Sequence, residues 1–219
     1  MTTALKIKLE HCEKKFGQQV LFKNLNYVFE QPQSYALLGP NGTGKSTLLG
    51  MLYGYTSASA GAIHWEVDGK KIDREEVYNF CSFASPYMEL PEELTASEIW
   101  DFHFSLKSQI APVSKAEGLE MCKLDTSAHK QLKNFSSGMK SRLKLALAVF
   151  SDSKALMLDE PCTNMDKEGI ATYHELLDKY LNNRLLIIAS NLPDEYERCA
   201  MRLDLKAGYH TTQKVNIIR

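Results

Sequence analysis

Tyr35-Ala36-Leu37-Leu38-Gly39-Pro40-Asn41-Gly42-Thr43-Gly44-Lys45-Ser46-Thr47 is the most informative stretch of this chain. Four apolar residues read as a short buried strand. The nine that follow fit G-x-x-x-x-G-K-[ST]. Glycines let the backbone curl so that its N–H groups point inward at phosphate oxygens. A helix predicted over Ser46–Tyr53 aims its positive end at the same anion. Lys45 adds a full charge between the β- and γ-phosphates. The Ser46 hydroxyl suits Mg²⁺, a hard cation that prefers oxygen. Gly39, Pro40, Asn41, Gly42, Thr43, Gly44, Lys45, Ser46 and Thr47 form the candidate nucleotide-binding set.

Working outward, Leu156-Met157-Leu158 reads as a strand that ends in Asp159-Glu160. Alone, such a run reads better as a solvated loop. With Gly39–Ser46 upstream, the two acids acquire roles. Asp159, at the strand's carboxyl end, is placed to hold Mg²⁺. Glu160 is placed to orient and deprotonate an attacking water.

Around these motifs the chain alternates. Leu5–Leu9 and Val20–Phe29 read as strands, with a turn over Lys14–Gln19. Gly61–Asp68 reads as an edge strand with Ile63, Trp65 and Val67 on one face. Asp68-Gly69 closes it as a turn. From Ser97 to about Lys133 the pattern is helical, with Ile99, Phe102 and Leu106 as its apolar set and Pro112 interrupting. Ser136 opens a helix through Leu143, Leu147 and Phe150. Ile170, Tyr173, Leu177 and Tyr180 mark another. Leu185–Ala189 is a second all-apolar strand. Continuous apolar strands alternating with helices imply a parallel sheet covered on both faces.

The 219 residues suffice for one domain with a full core. Lys plus Arg number 26 and Asp plus Glu 27, giving a formal charge of −1. That balance lacks the basic footprint of a nucleic-acid binder, so no nucleic-acid partner is expected. The longest apolar run, Leu145 to Phe150, falls far short of the ~20 residues of a membrane span. Met-Thr-Thr-Ala-Leu-Lys-Ile-Lys carries no apolar signal core, so the protein is expected to stay where it is made. Five scattered cysteines, without a CxxC pair, read as free thiols in a reducing compartment.

Phe135-Ser136-Ser137-Gly138-Met139-Lys140 precedes the third helix and resembles the L-S-G-G-Q signature of ATP-binding cassette (ABC) ATPases. The motif order also resembles that family, as does Asp159-Glu160-Pro161 followed by Thr163-Asn164-Met165-Asp166 in the place of the D-loop. The resemblance spans roughly Lys6 to Leu205. It implies an α/β P-loop cassette with an antiparallel β subdomain, a mainly parallel core sheet flanked by helices, and a helical subdomain. Residues 1–219 would form a single ATP-binding domain, with the helical subdomain at about 95–150 inserted in the α/β core.

By the same resemblance, two cassettes close head to tail around two ATP molecules, as a homo- or heterodimer. Each ATP would rest on Gly39–Thr47 of one chain and on Ser136, Ser137 and Gly138 of the other. Ser136 at a helix N-terminus can bind a γ-phosphate, serve as the N-cap, or do both. Phe16 matches the aromatic that stacks on adenine, and also reads as a core residue of its strand pair. Asp166 matches the D-loop acid that links the two sites. The cassette would drive a separate membrane-spanning permease subunit, and the short chain is more similar to exporter cassettes than to importers with regulatory tails. The resemblance places it in the cytoplasm, peripheral on the inner face of the cell membrane. Tyr87, Met88 and Leu90 would receive the permease, or else pack internally. Alternatives are a soluble cassette without transport and a slow ATP-gated clamp.

Three positions depart from the family pattern. Asn191 stands where the switch histidine follows the last core strand; it donates a hydrogen bond but carries no positive charge, so slower hydrolysis is expected. Ser85-Pro86-Tyr87-Met88-Glu89 holds no Q-loop glutamine. Ser137 and Met139 replace the second signature glycine and the glutamine. Serine is well tolerated there if its φ is negative. Lys45, Glu160 and Asn191 are the candidate catalytic residues.

Overall fold

The computed structural model describes residues 4–110, 113–206 and 209–214. Pro112 and Met1-Thr2-Thr3 lie outside the described residues. Elements follow in chain order: β1 (Leu5–Phe16), β2 (Gln19–Glu30), β3 (Ser34–Leu38), α1 (Lys45–Leu52), β4 (Ala60–Val67), β5 (Lys70–Ile72) and β6 (Cys81–Ala84). Then come α2 (Ala96–Leu106), α3 (Lys115–Met121), α4 (Ser137–Phe150), β7 (Ala155–Asp159), α5 (Lys167–Tyr180), β8 (Leu185–Ala189), α6 (Pro193–Tyr196), β9 (Met201–Lys206) and β10 (Tyr209–Lys214).

These elements divide into two compact units. The first comprises residues 1–83, 153–159 and 183–219. It holds a four-stranded antiparallel sheet in the order β2-β1-β4-β5 and a six-stranded sheet in the order β10-β9-β3-β8-β7-β6. In the larger sheet β3 runs parallel to both β8 and β9, and β7 parallel to β8. β7 and β8 are buried at every position, which explains their apolar sequences up to Asp159 at the end of β7. Leu37 and Asp159 both pair with Ala189, so the carboxyl ends of three strands lie level. Ligands bind in open α/β sheets at such strand ends.

Two local expectations are corrected here. β4 is not an edge strand, because β5 pairs with it after the Asp68-Gly69 turn. The turn after β1 is confined to Gly17-Gln18; Lys14, Lys15 and Phe16 remain in the strand and pair with Phe22, Val20 and Gln19. β1 runs on past the short alternating stretch that first marks it, across an irregularity between Leu9 and Cys12 that resets the alternation.

The second unit comprises residues 84–152 and 160–182. Its α2 begins with a capping box, Thr95 accepting from the Glu98 N–H while Glu98 accepts from the Thr95 N–H. The Trp100 ring lies 4.9 Å from Phe104 and 5.6 Å from Phe150, and Phe150 lies 4.9 Å from Tyr180. Ile99 and Trp100 are the buried side of α2, whereas Phe102 and Leu106 are exposed. Two of the three residues in the apolar set expected for this helix are therefore wrong, and Trp100 takes the core. On α5 the expected Tyr173, Leu177 and Tyr180 are buried, whereas the expected Ile170 is only half-buried.

Candidate nucleotide-binding site

The loop between β3 and α1 carries the phosphate-binding geometry. Gly39 has φ 139°, and a Cβ there would stand 2.4 Å from the Leu205 carbonyl oxygen. Backbone approaches backbone at that point, so only glycine fits. Gly44, also at positive φ, caps α1. Thr43 Oγ1 donates to the Pro40 carbonyl at 2.8 Å, closing the loop on itself. Lys45 is buried, and its Nζ donates to Gly39 O at 2.7 Å and Pro40 O at 3.3 Å. Its charge is thereby held over the loop. Asn41 and Gly42 are exposed on the rim, and Thr47 follows within the first turn of α1.

Ser46 Oγ donates to Asp159 Oδ1 at 2.8 Å. Asp159 is 2% exposed at the end of β7. Two hard oxygens, one of them a buried carboxylate, meet beside a lysine. That donor set fits Mg²⁺. Asn191, just after β8, donates its amide to Asn41 Oδ1 at 2.8 Å. Phe16 is 57% exposed at the end of β1, so it is not a core residue of the strand pair. The Lys14 Nζ lies 4.8 Å from its ring centroid.

The second unit holds the other sequence-marked residues. Ser136 is the N-cap of α4, accepting from the Met139 N–H at 3.2 Å. Ser137 opens α4 in helical conformation, so its Cβ is accommodated. A Cβ on Gly138 would stand 2.8 Å from the Asn164 carbonyl oxygen. Glu160 has φ 42°, a left-handed conformation uncommon for a residue with a Cβ. Thr163 donates from its N–H to Glu160 O at 3.0 Å and from Oγ1 to Glu160 Oε2 at 3.3 Å. Ser141 Oγ in turn donates to the Thr163 carbonyl at 3.0 Å. Asp166 caps α5, accepting from the Gly169 N–H at 2.8 Å.

Sequence reasoning passed over Ser141 and gave Thr163 no role beyond opening the D-loop stretch. Ser141 lies one helical turn after Gly138, on the same face, which is the signal that marks it. At the missing glutamine, Ser85 to Met88 form a turn in which Tyr87 is 76% exposed. Lys144 Nζ donates to the Pro86 carbonyl at 2.7 Å. Met88, Leu90, Glu92 and Lys140 help line a groove of about 380 Å³ there. No helix among the described residues is long and apolar enough to cross a membrane.

A family model described as ABC transporter matches residues 22–163. The Nod factor export ATP-binding protein I of Burkholderia lata is 30% identical over 201 residues, covering 90% of this chain and 66% of that protein. The chain thus spans just under two thirds of that relative. The lantibiotic transport ATP-binding protein SrtF of Streptococcus pyogenes is 29% identical over 198 residues, covering 89% of this chain and 83% of that one. Among solved structures, a dimeric ATP-binding cassette in a post-hydrolysis state with ADP and Pi matches with a TM-score of 0.82 at 21% identity, over 96% of this chain and 99% of that one. With that family model over more than half of its length and that structural match, the chain belongs to the ABC transporter family and has the fold of its ATP-binding cassette.

Proposed function

We propose that this chain is the ATP-binding and ATP-hydrolysing subunit of a transporter, pairing with a second cassette around two ATP molecules to drive a separate membrane-spanning permease. The observation that carries the reading is the 2.8 Å contact of Ser46 Oγ with Asp159 beside the Lys45 charge. Ser46 and Asp159 would hold Mg²⁺, which supplies charge neutralisation on the phosphates. Lys45 and the loop N–H groups orient the triphosphate. Glu160 accepts a proton from the attacking water, whose oxygen bonds the γ-phosphorus as the bond to the β-phosphate oxygen breaks. ATP and water leave as ADP, phosphate and a proton.

Ser136 and the first N–H groups of α4 would bind the γ-phosphate of the partner's ATP. The groove beside Tyr87 and Met88 would receive the permease, placing the chain on the cytoplasmic face of a membrane. The Burkholderia relative has export in its name, which favours an exporter.

A Glu160→Gln variant tests the chemistry. It is expected to lose roughly 10²–10⁴-fold in turnover while keeping ATP affinity; undiminished phosphate release overturns the assignment. Co-purification from detergent-solubilised membranes tests the partner. A stoichiometric multi-span protein supports transport; soluble partners alone overturn it in favour of a cassette without transport. The second reading, a slow ATP-gated clamp, draws on Asn191 in the histidine's place, and a turnover near zero in the presence of any partner would favour it.

A further inference from the structure

Lys14 is 9% exposed, although it lies near the tip of the β1–β2 hairpin, where Phe16, the last residue of β1, is 57% exposed. A lysine is buried that far only when its head group is partnered. The Lys14 Nζ donates to the Ser57 carbonyl at 2.8 Å and stands 4.8 Å from the centroid of the Phe16 ring. Residues two apart share one face of a strand, so the ammonium reaches the ring from its own side. Ser57 lies in the segment after α1, the helix that opens at Lys45. The anchor of Lys14 therefore belongs to the structure that leads away from the phosphate loop.

The same rung touches the loop from the other direction. Lys14 pairs across the hairpin with Phe22. A Cβ on Gly44 would meet Phe22 Cδ1 at 3.3 Å and Leu21 at 3.1 Å. The hairpin is thus packed directly on the phosphate loop, with Phe16 two residues beyond that contact.

We propose that Lys14 is a positioning residue for the nucleotide base: its ammonium covers one face of the Phe16 ring and leaves the other as the platform on which the purine of ATP stacks. This rests on reading Phe16 as the purine platform. The physical argument has two parts. A cation draws the ring's electron density toward itself, so the opposite face is less negative and stacks better on an electron-rich purine. The Ser57 anchor also fixes the ring's orientation before ATP arrives, so binding loses less side-chain freedom. A neutral residue of similar length supplies neither effect.

The test compares binding of Mg-ATP and of inorganic tripolyphosphate to the full chain, by competition. Tripolyphosphate reads the phosphate loop without a base. Lys14→Met is expected to weaken ATP about fivefold and leave tripolyphosphate unchanged. Lys14→Arg is expected to restore most of the ATP affinity, because guanidinium also stacks on aromatic faces. Lys14→Gln removes the charge and, one atom shorter, does not reach the Ser57 carbonyl as lysine does; it is expected to match the methionine variant, which keeps the test open if that variant does not fold. In a Phe16→Leu background, Lys14→Met is expected to add nothing. Equal losses for ATP and tripolyphosphate would assign Lys14 to holding the loop and overturn the proposal. So would a Phe16→Leu variant that loses ATP affinity while the Lys14 variants do not. A Phe16→Leu variant that binds ATP normally would overturn the platform reading itself.

Discussion

The side-chain amide of Asn191 donates to Oδ1 of Asn41 across 2.8 Å, tying the residue after β8 to the rim of the phosphate loop. An amide makes that bond but carries no charge toward a γ-phosphate. Asn191→His is therefore expected to raise turnover several-fold under saturating Mg-ATP, and no gain would count against the argument. Because Asn191 and Asn41 share one bond, the Asn41→Ala/Asn191→Ala pair is expected to cost less in kcat/KM than its two single changes summed.

Asp159→Asn keeps the shape of the side chain and an acceptor for the Ser46 hydroxyl, so the fold should hold. It removes the negative charge that a divalent cation requires. ATP affinity is expected to stop responding to Mg²⁺, and turnover to fall at least about tenfold. Titrating Mg²⁺ against EDTA with bound ATP as the readout checks this.

Gly138→Ala drives a methyl toward the Asn164 carbonyl, 2.8 Å from the ideal Cβ position. Neither the start of α4 nor the loop after Glu160 is free to yield, since Ser141 bonds the same loop at Thr163. The expected cost is about 1–3 kcal/mol in urea unfolding. Ser137→Ala, on a helical position that already carries a Cβ, is expected to cost far less.

His103 is held neutral. Partial burial, with the Lys107 charge adding to it, lowers its pKa from 6.5 to about 4. Its Nε2 meets Ser151 Oγ at 2.9 Å. A folded pKa below the unfolded one means that stability is complete above pH 6.5 and drains away as pH falls toward 4. The slope per proton reaches about 1.4 kcal/mol per pH unit at its steepest, less where solvent screens the ring. His103→Gln is expected to flatten unfolding free energy across that interval, as followed by denaturant melts at several pH values.

β7 and β8 are legible in the sequence because burial on both faces makes them apolar up to the acid that ends β7, whereas β9 and β10 of the same sheet are not anticipated. The phosphate loop was legible because its glycines are required by backbone contacts such as that of Gly39 with Leu205. Other features were not. Trp100 rather than Phe102 fills the core beside α2, where it meets Phe104 and Phe150; Ala96, Ile99 and Trp100 form a stripe at i, i+3 and i+4 that competes in the sequence with Ile99, Phe102 and Leu106. β5 is only three residues long, too short to show alternation. Lys14 and Lys15 looked like a turn because charge pairs favour turns; the one head group is buried and the other is not. Thr163 meets Glu160 through a loop conformation that composition alone does not specify.

The left-handed backbone of Glu160 has a consequence for how such a chain changes under selection. Glycine at that position would relieve about 1–2 kcal/mol of conformational cost. It would also remove the carboxylate proposed to accept the proton. Breeding this protein for heat tolerance alone would therefore favour hardy but inert descendants, and only a demand for turnover would keep an acid at position 160.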